Sequence, residues 1–76
     1  MDIIAIRRVS AVRRMLASGQ AREQRKALHL SVREVARAVG MNPGTVSRWE
    51  TGACKPRADS ALKLAEVLDI ETQDAA

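Results

Sequence analysis

The sequence predicts an all-α protein, and three observations carry the prediction. It has no Tyr and no Phe, few β-branched clusters after residue 12, and abundant Ala, Leu and Arg, which lose little on entering a helix. Helix-capping residues recur at short intervals, at Ser18, Ser31 and Asn42. Gly40, Gly52 and Pro56 punctuate the chain between them. The 76 residues make one small domain with a limited core.

The first seventeen residues have two readings. As a helix, Ala5, Ile6, Val9, Val12 and Leu16 fall on one side, with Arg7, Ser10 and Arg14 opposite. The run "DIIAI" also has strand character, so a short strand is the alternative. This extension, 1–17, is either a subunit interface or an arm packed onto its own domain. Ser18 is expected to cap a helix from about 19 to 28. Ser31 caps a second over 32–39, with Glu34 completing a capping box and Gly40 closing the helix in left-handed geometry. Asn42 caps a third, in which Pro43 is tolerated at the first helical position and Gly52 marks the stop. After Pro56, Ala58 or Asp59 opens a fourth helix that puts Ala61, Leu62, Ala65 and Leu68 on one face. The domain is expected over 18–70, and 71–76 is expected to be a frayed tail.

Charge is distributed unevenly. Residues 1–57 hold twelve Lys and Arg against four acids, a net of +8, whereas 58–76 hold Lys63 against five acids, a net of −4. A basic body with an acidic end suits a polyanionic partner. Cys54 and His29 are each the only residue of their type, so an internal disulfide is excluded and neither a metal site nor a cofactor is expected. The apolar patch in "MDIIAIRRVS" is too short to span a bilayer, and no cleavage signal follows it. A cytoplasmic protein of a bacterial cell or phage-infected host is expected. With no nucleophile–base pair and no phosphate-cradling glycine loop, an enzyme is the weakest reading.

Residues 32–51, "VREVARAVGMNPGTVSRWET", carry the functional pattern. Val35 and Val39 form the inner stripe of one short helix, and Val46 and Trp49 that of the next. Ala36 lacks bulk where the second helix comes close, Gly40 supplies the positive φ of the turn, and Met41 is expected to plug the angle. This is a helix-turn-helix, whose second helix is presented to the major groove of DNA.

From Ser18 to Ile70 the chain resembles the phage Cro and lambda-repressor-type family, also called XRE-like. The resemblance lies in "LSVREVARAVGMNPGTVSRWETG", the following "KP" and the helix "ALKLAEVL". It implies a lambda-repressor-like domain of four to five short helices that binds operator DNA. It also implies a buried ion pair between Arg25 and Glu50. Three departures stand out. Val32 occupies a position where relatives often place a phosphate-touching Gln, with Arg33 beside it as the alternative donor. His29 stands where a Gly often closes the first helix, a left-handed position that His tolerates better than most residues. Many members dimerise through a fifth helix, for which little sequence remains after Leu68. The apolar N-terminal extension is then the candidate homodimer interface.

Arg48 is the foremost candidate for base contact, since an arginine bonds guanine O6 and N7 together. Thr45 and Ser47 are candidates for a thymine methyl, a base edge or a phosphate, and Gly44 allows close backbone approach. Pro43 and Gly44 replace the long amides with which relatives read bases, so specificity leans on Arg48 and on DNA shape. Asn42, Ser31, Arg33, Lys55 and Arg57 are the candidate phosphate contacts. For each of these the plainer reading is a cap or a solvated surface group, and for Trp49, Met41 and Met15 it is the core.

The leading function is a sequence-specific double-stranded DNA-binding regulator, a phage-like Cro or repressor that occludes a promoter at a palindromic operator. The alternatives are an autoregulatory antitoxin and a helix-turn-helix protein-interaction module.

Overall fold

A computed structural model describes residues 2–70; the tail expected over 71–76 lies outside them. Five helices follow in order: α1 (Ile3–Ser18), α2 (Gln20–Ala27), α3 (Val32–Val39), α4 (Pro43–Thr51) and α5 (Ala58–Val67). The described residues contain no strand, so the chain is the all-α domain that the sequence predicts.

Between helix and strand, residues 3–18 form the helix. Asp2 caps it, its carboxylate accepting from the Ala5 amide at 2.7 Å, which satisfies an N–H that an extended chain would leave to solvent. The helix runs one residue further than the expected boundary, so Ser18 is the last residue of α1 and Gly19 holds the N-cap position of α2, while the Ser18 hydroxyl still accepts from the Gln20 amide at 3.3 Å. Gly19 serves both helices, at φ +86°, a left-handed turn that costs a glycine nothing sterically.

The later helix ends share one device. The amide of the second or third residue past the helix reaches back to a carbonyl five residues earlier, as in Leu30 to Arg25, Met41 to Ala36, Ala53 to Arg48 and Ile70 to Ala65. The residue before each takes positive φ: His29 at 58°, Gly40 at 72°, Gly52 at 84° and Asp69 at 54°. His29 therefore occupies a left-handed site, as expected of this position.

The core draws on every helix. Val9, Ala11, Val12 and Leu16 of α1 lie in one buried cluster with Val35, Ala36 and Val39 of α3, Val46 and Trp49 of α4, and Ala61, Leu64 and Ala65 of α5. α5 packs against both α1 and α3, while α4 packs on α3. Full burial of a side chain such as Leu64 is worth about 1.5–3 kcal/mol against leaving it in water.

Three expectations about this core are corrected. The stripe of α1 contains Ala11 and leaves Ile6 in solvent, because the first turn of α1 lies beyond the packed surface. Leu64 is buried and Leu62 only half-buried, since α5 is covered on two sides by α1 and α3. Met41 is 38% exposed and plugs nothing; Val35, Val39 and Val46 already fill the angle between the helices.

Candidate nucleic-acid interface

The sequence of α3 and α4 dictates how they are held together. Val35, Ala36 and Val39 bury one face of α3 against Val46 and Trp49 of α4, and Ala36 provides the shallow seat. Gly40 turns the chain between them within three residues. The outward side of α4 is then fixed by its inward side: Ser47 and Arg48 are exposed and Thr45 half-exposed. The Arg48 side chain makes no hydrogen bond or ion pair among the described residues, so its guanidinium keeps all its donors for another molecule.

The start of α4 is closed more tightly than "NPG" suggests. Asn42 Oδ1 accepts from the Gly44 amide at 2.7 Å, and the Asn42 carbonyl accepts from Thr45 at 2.9 Å and Val46 at 3.3 Å. Pro43 has no N–H. The first-turn donors of α4 are thus absent or engaged, and Gly44 offers an incoming surface only bare backbone. A Cβ on Gly44 would lie 3.1 Å from Asn42 Oδ1, so the glycine also makes room for the cap. The Asn42 side-chain N–H₂ makes no hydrogen bond among the described residues.

Ser31 and Glu34 close α3 with a full capping box. Ser31 Oγ accepts from the Glu34 amide at 3.0 Å, and Glu34 Oε1 accepts from the Ser31 amide at 2.9 Å. The hydrogen bonds from the Ser31 backbone and hydroxyl hold the Glu34 carboxyl below its ordinary value, with Arg37 adding a smaller pull. Arg33 lies exposed on the first turn of α3, and Lys55 and Arg57 lie exposed beyond α4. Arg57 sits immediately ahead of α5 without a side-chain capping bond.

Arg25 and Glu50 are brought together. Arg25 Nε donates to Glu50 Oε2 at 2.7 Å and Nη2 to Oε1 at 3.2 Å, while Nη1 donates to the Leu30 carbonyl at 2.9 Å. The side chains are only 12% and 11% exposed. This fork ties α2 and the turn before α3 to the last part of α4, and so sets the tilt of the exposed helix.

Two arginines outside the sequence-derived set lie beside this surface. Arg13 and Arg14 of α1 line a groove shared with Lys55, and Arg13 Nη2 donates to the Pro56 carbonyl at 3.2 Å. Their position on α1 has no local signal, since only the packing of α1 brings them to residues 55–58. Among the described residues no group of His, Cys, Asp or Glu gathers as a metal site would require, and no helix is long and apolar enough to cross a membrane.

A family model described as helix-turn-helix, covering XRE-type domains like those of Cro and lambda repressor, matches residues 22–74. No curated protein matches the chain. No solved structure matches it either. The family match begins inside α2 and leaves α1 outside it.

Proposed function

The chain belongs to the XRE-type helix-turn-helix family of DNA-binding transcription regulators, and from that premise we propose that it is a sequence-specific repressor of the Cro type, which covers a promoter by laying α4 in the major groove. The observation that carries this reading is the division of α4. Val46 and Trp49 lock it into the core while Ser47 and an unpartnered Arg48 face outward. Arg48 reads guanine through two parallel hydrogen bonds, and Thr45 and Ser47 meet neighbouring base edges or methyls. Gly44 and Pro43 lie close to the bases without reading them.

The backbone of the duplex is gripped from three places. Arg33 and the Ser31 hydroxyl act at the start of α3, the Asn42 amide at the start of α4, and Lys55 with Arg57 beyond its end. Two copies of the chain pair through the first turn of α1, where Ile3, Ile4 and Ile6 are 66%, 57% and 52% exposed. The pair sets its two recognition helices about 34 Å apart, on successive major-groove faces of a palindrome. The protein works in the cytoplasm, where its DNA lies.

Selection of bound duplexes from a random pool tests this directly. An enriched site whose binding falls with salt, and which Arg48→Ala reads roughly tenfold less selectively, is the expected result. A pool with no enriched site, together with an Arg48→Ala protein that behaves as wild type, would overturn the reading in favour of a protein-interaction module.

A further inference from the structure

We infer that the flank of α1 carries a second phosphate-backbone contact, made by Arg14 with Lys55 and supported by Arg13. The inference rests on the DNA-binding reading above and extends the footprint to a helix that the family match does not include.

Between α1 and residues 55–58 runs an open groove of about 520 Å³. Its polar lining is Ser10, Arg13, Arg14 and Lys55, the rest is aliphatic or alanine, and no carboxylate lines it. Arg13 is committed in part, because its guanidinium holds the Pro56 carbonyl and so clamps the segment carrying Lys55 against α1. The Arg14 side chain has no hydrogen bond or ion pair among the described residues. No acid lies within α1, so its own helix provides no carboxylate to Arg13 or Arg14. Cations gathered without a counter-charge repel one another, and an anion entering the groove relieves that repulsion.

Position favours nucleic acid as that anion. A smaller adjoining hollow, lined by Arg13, Lys55, Trp49 and Gly52, joins the groove to the C-terminal end of α4. A duplex seated on α4 therefore directs a strand toward Arg14, and the aliphatic floor suits the deoxyribose between phosphates.

The test is a salt titration of binding to a mixed-sequence duplex, followed by anisotropy. One lost phosphate contact lowers the slope of log K against log salt by about 0.9, so Arg14→Gln should bind roughly fivefold more weakly at about 0.15 M salt. Arg14→Lys should keep the wild-type slope. Lys63→Gln removes an equal charge outside the groove lining and should keep it too. An Arg14→Gln slope equal to that of a salt-sensitive wild type overturns the inference and leaves the DNA-binding reading intact. A wild type that shows no salt-sensitive binding overturns both. Capture of an acidic, apolar peptide that depends on Arg14, with the DNA slope unmoved, would assign the groove to a protein partner and overturn the inference as well.

Discussion

Arg25 and Glu50 stand 25 residues apart and end in a forked ion pair that is largely shielded from solvent. Such a pair is poor evidence of net stabilisation, because removing both charges from water offsets their attraction. Breaking it is another matter. Glu50→Ala strands a guanidinium that retains only the Leu30 carbonyl, and should cost about 3 kcal/mol or more. That is a large fraction of the total stability of a small domain. Arg25→Lys keeps the charge but loses the fork, since one ammonium cannot reproduce the fixed planar array of donors. Urea denaturation should rank wild type above Arg25→Lys, and Arg25→Lys above Glu50→Ala. A Glu50→Ala midpoint equal to wild type would show that the pair neither holds α4 nor burdens its surroundings when broken.

Among the elements, α3 starts with a capping box whose carboxyl is shifted downward. The Glu34 carboxyl accepts the Ser31 amide more strongly as an anion, which lowers its pKa in the folded chain from 4.5. A lowered folded pKa gives a contribution fully present above the unfolded value and lost as pH falls through the folded one. Stability should therefore decline with acid from about pH 4.5 downward, and Glu34→Gln should flatten that part of the profile while keeping an oxygen for the cap. Thermal melts from pH 6 to pH 3 on both proteins would check this, and parallel profiles would rule out the box as the source. The same element shows why α3 and α4 were legible in the sequence. Ser31, Glu34, Gly40, Asn42 and Gly52 act on residues within five positions of themselves, so their signals are local. What was not legible depends on neighbours. Ser18 looks like the start of α2 until Gly19 takes the turn, and Leu62 looks internal and Leu64 outside the stripe until α1 and α3 both pack on α5. For the site, a pattern of residue types identified the outward face of α4. It was silent on Arg13 and Arg14, which only tertiary packing brings beside Lys55.

For the whole molecule, the two proposed associations make opposite demands on salt. DNA binding joins a basic surface to a polyanion and weakens as ions are added. Pairing through α1 joins apolar turns beside a net-positive stretch, Asp2 against Arg7 and Arg8. Four arginines and no acid lie along this helix, so a symmetric contact brings arginine toward arginine. Because the second half of α1 is buried in its own core at Val12 and Leu16, only the exposed Ile3, Ile4 and Ile6 are left to meet a partner. Added salt screens the repulsion and leaves the apolar contact, so the dimer should tighten where the DNA complex loosens. Ile3→Glu with Ile4→Glu separates the two effects. Acids in the first turn of a helix suit its dipole, so the fold should survive while the apolar contact is lost. Sedimentation velocity across a concentration series should find a wild-type dimer strengthened by salt and a double variant that stays monomeric. The variant should still bind single half-sites, without cooperativity across the palindrome. A wild type that sediments as a monomer and fills two half-sites independently would rule out pairing through α1.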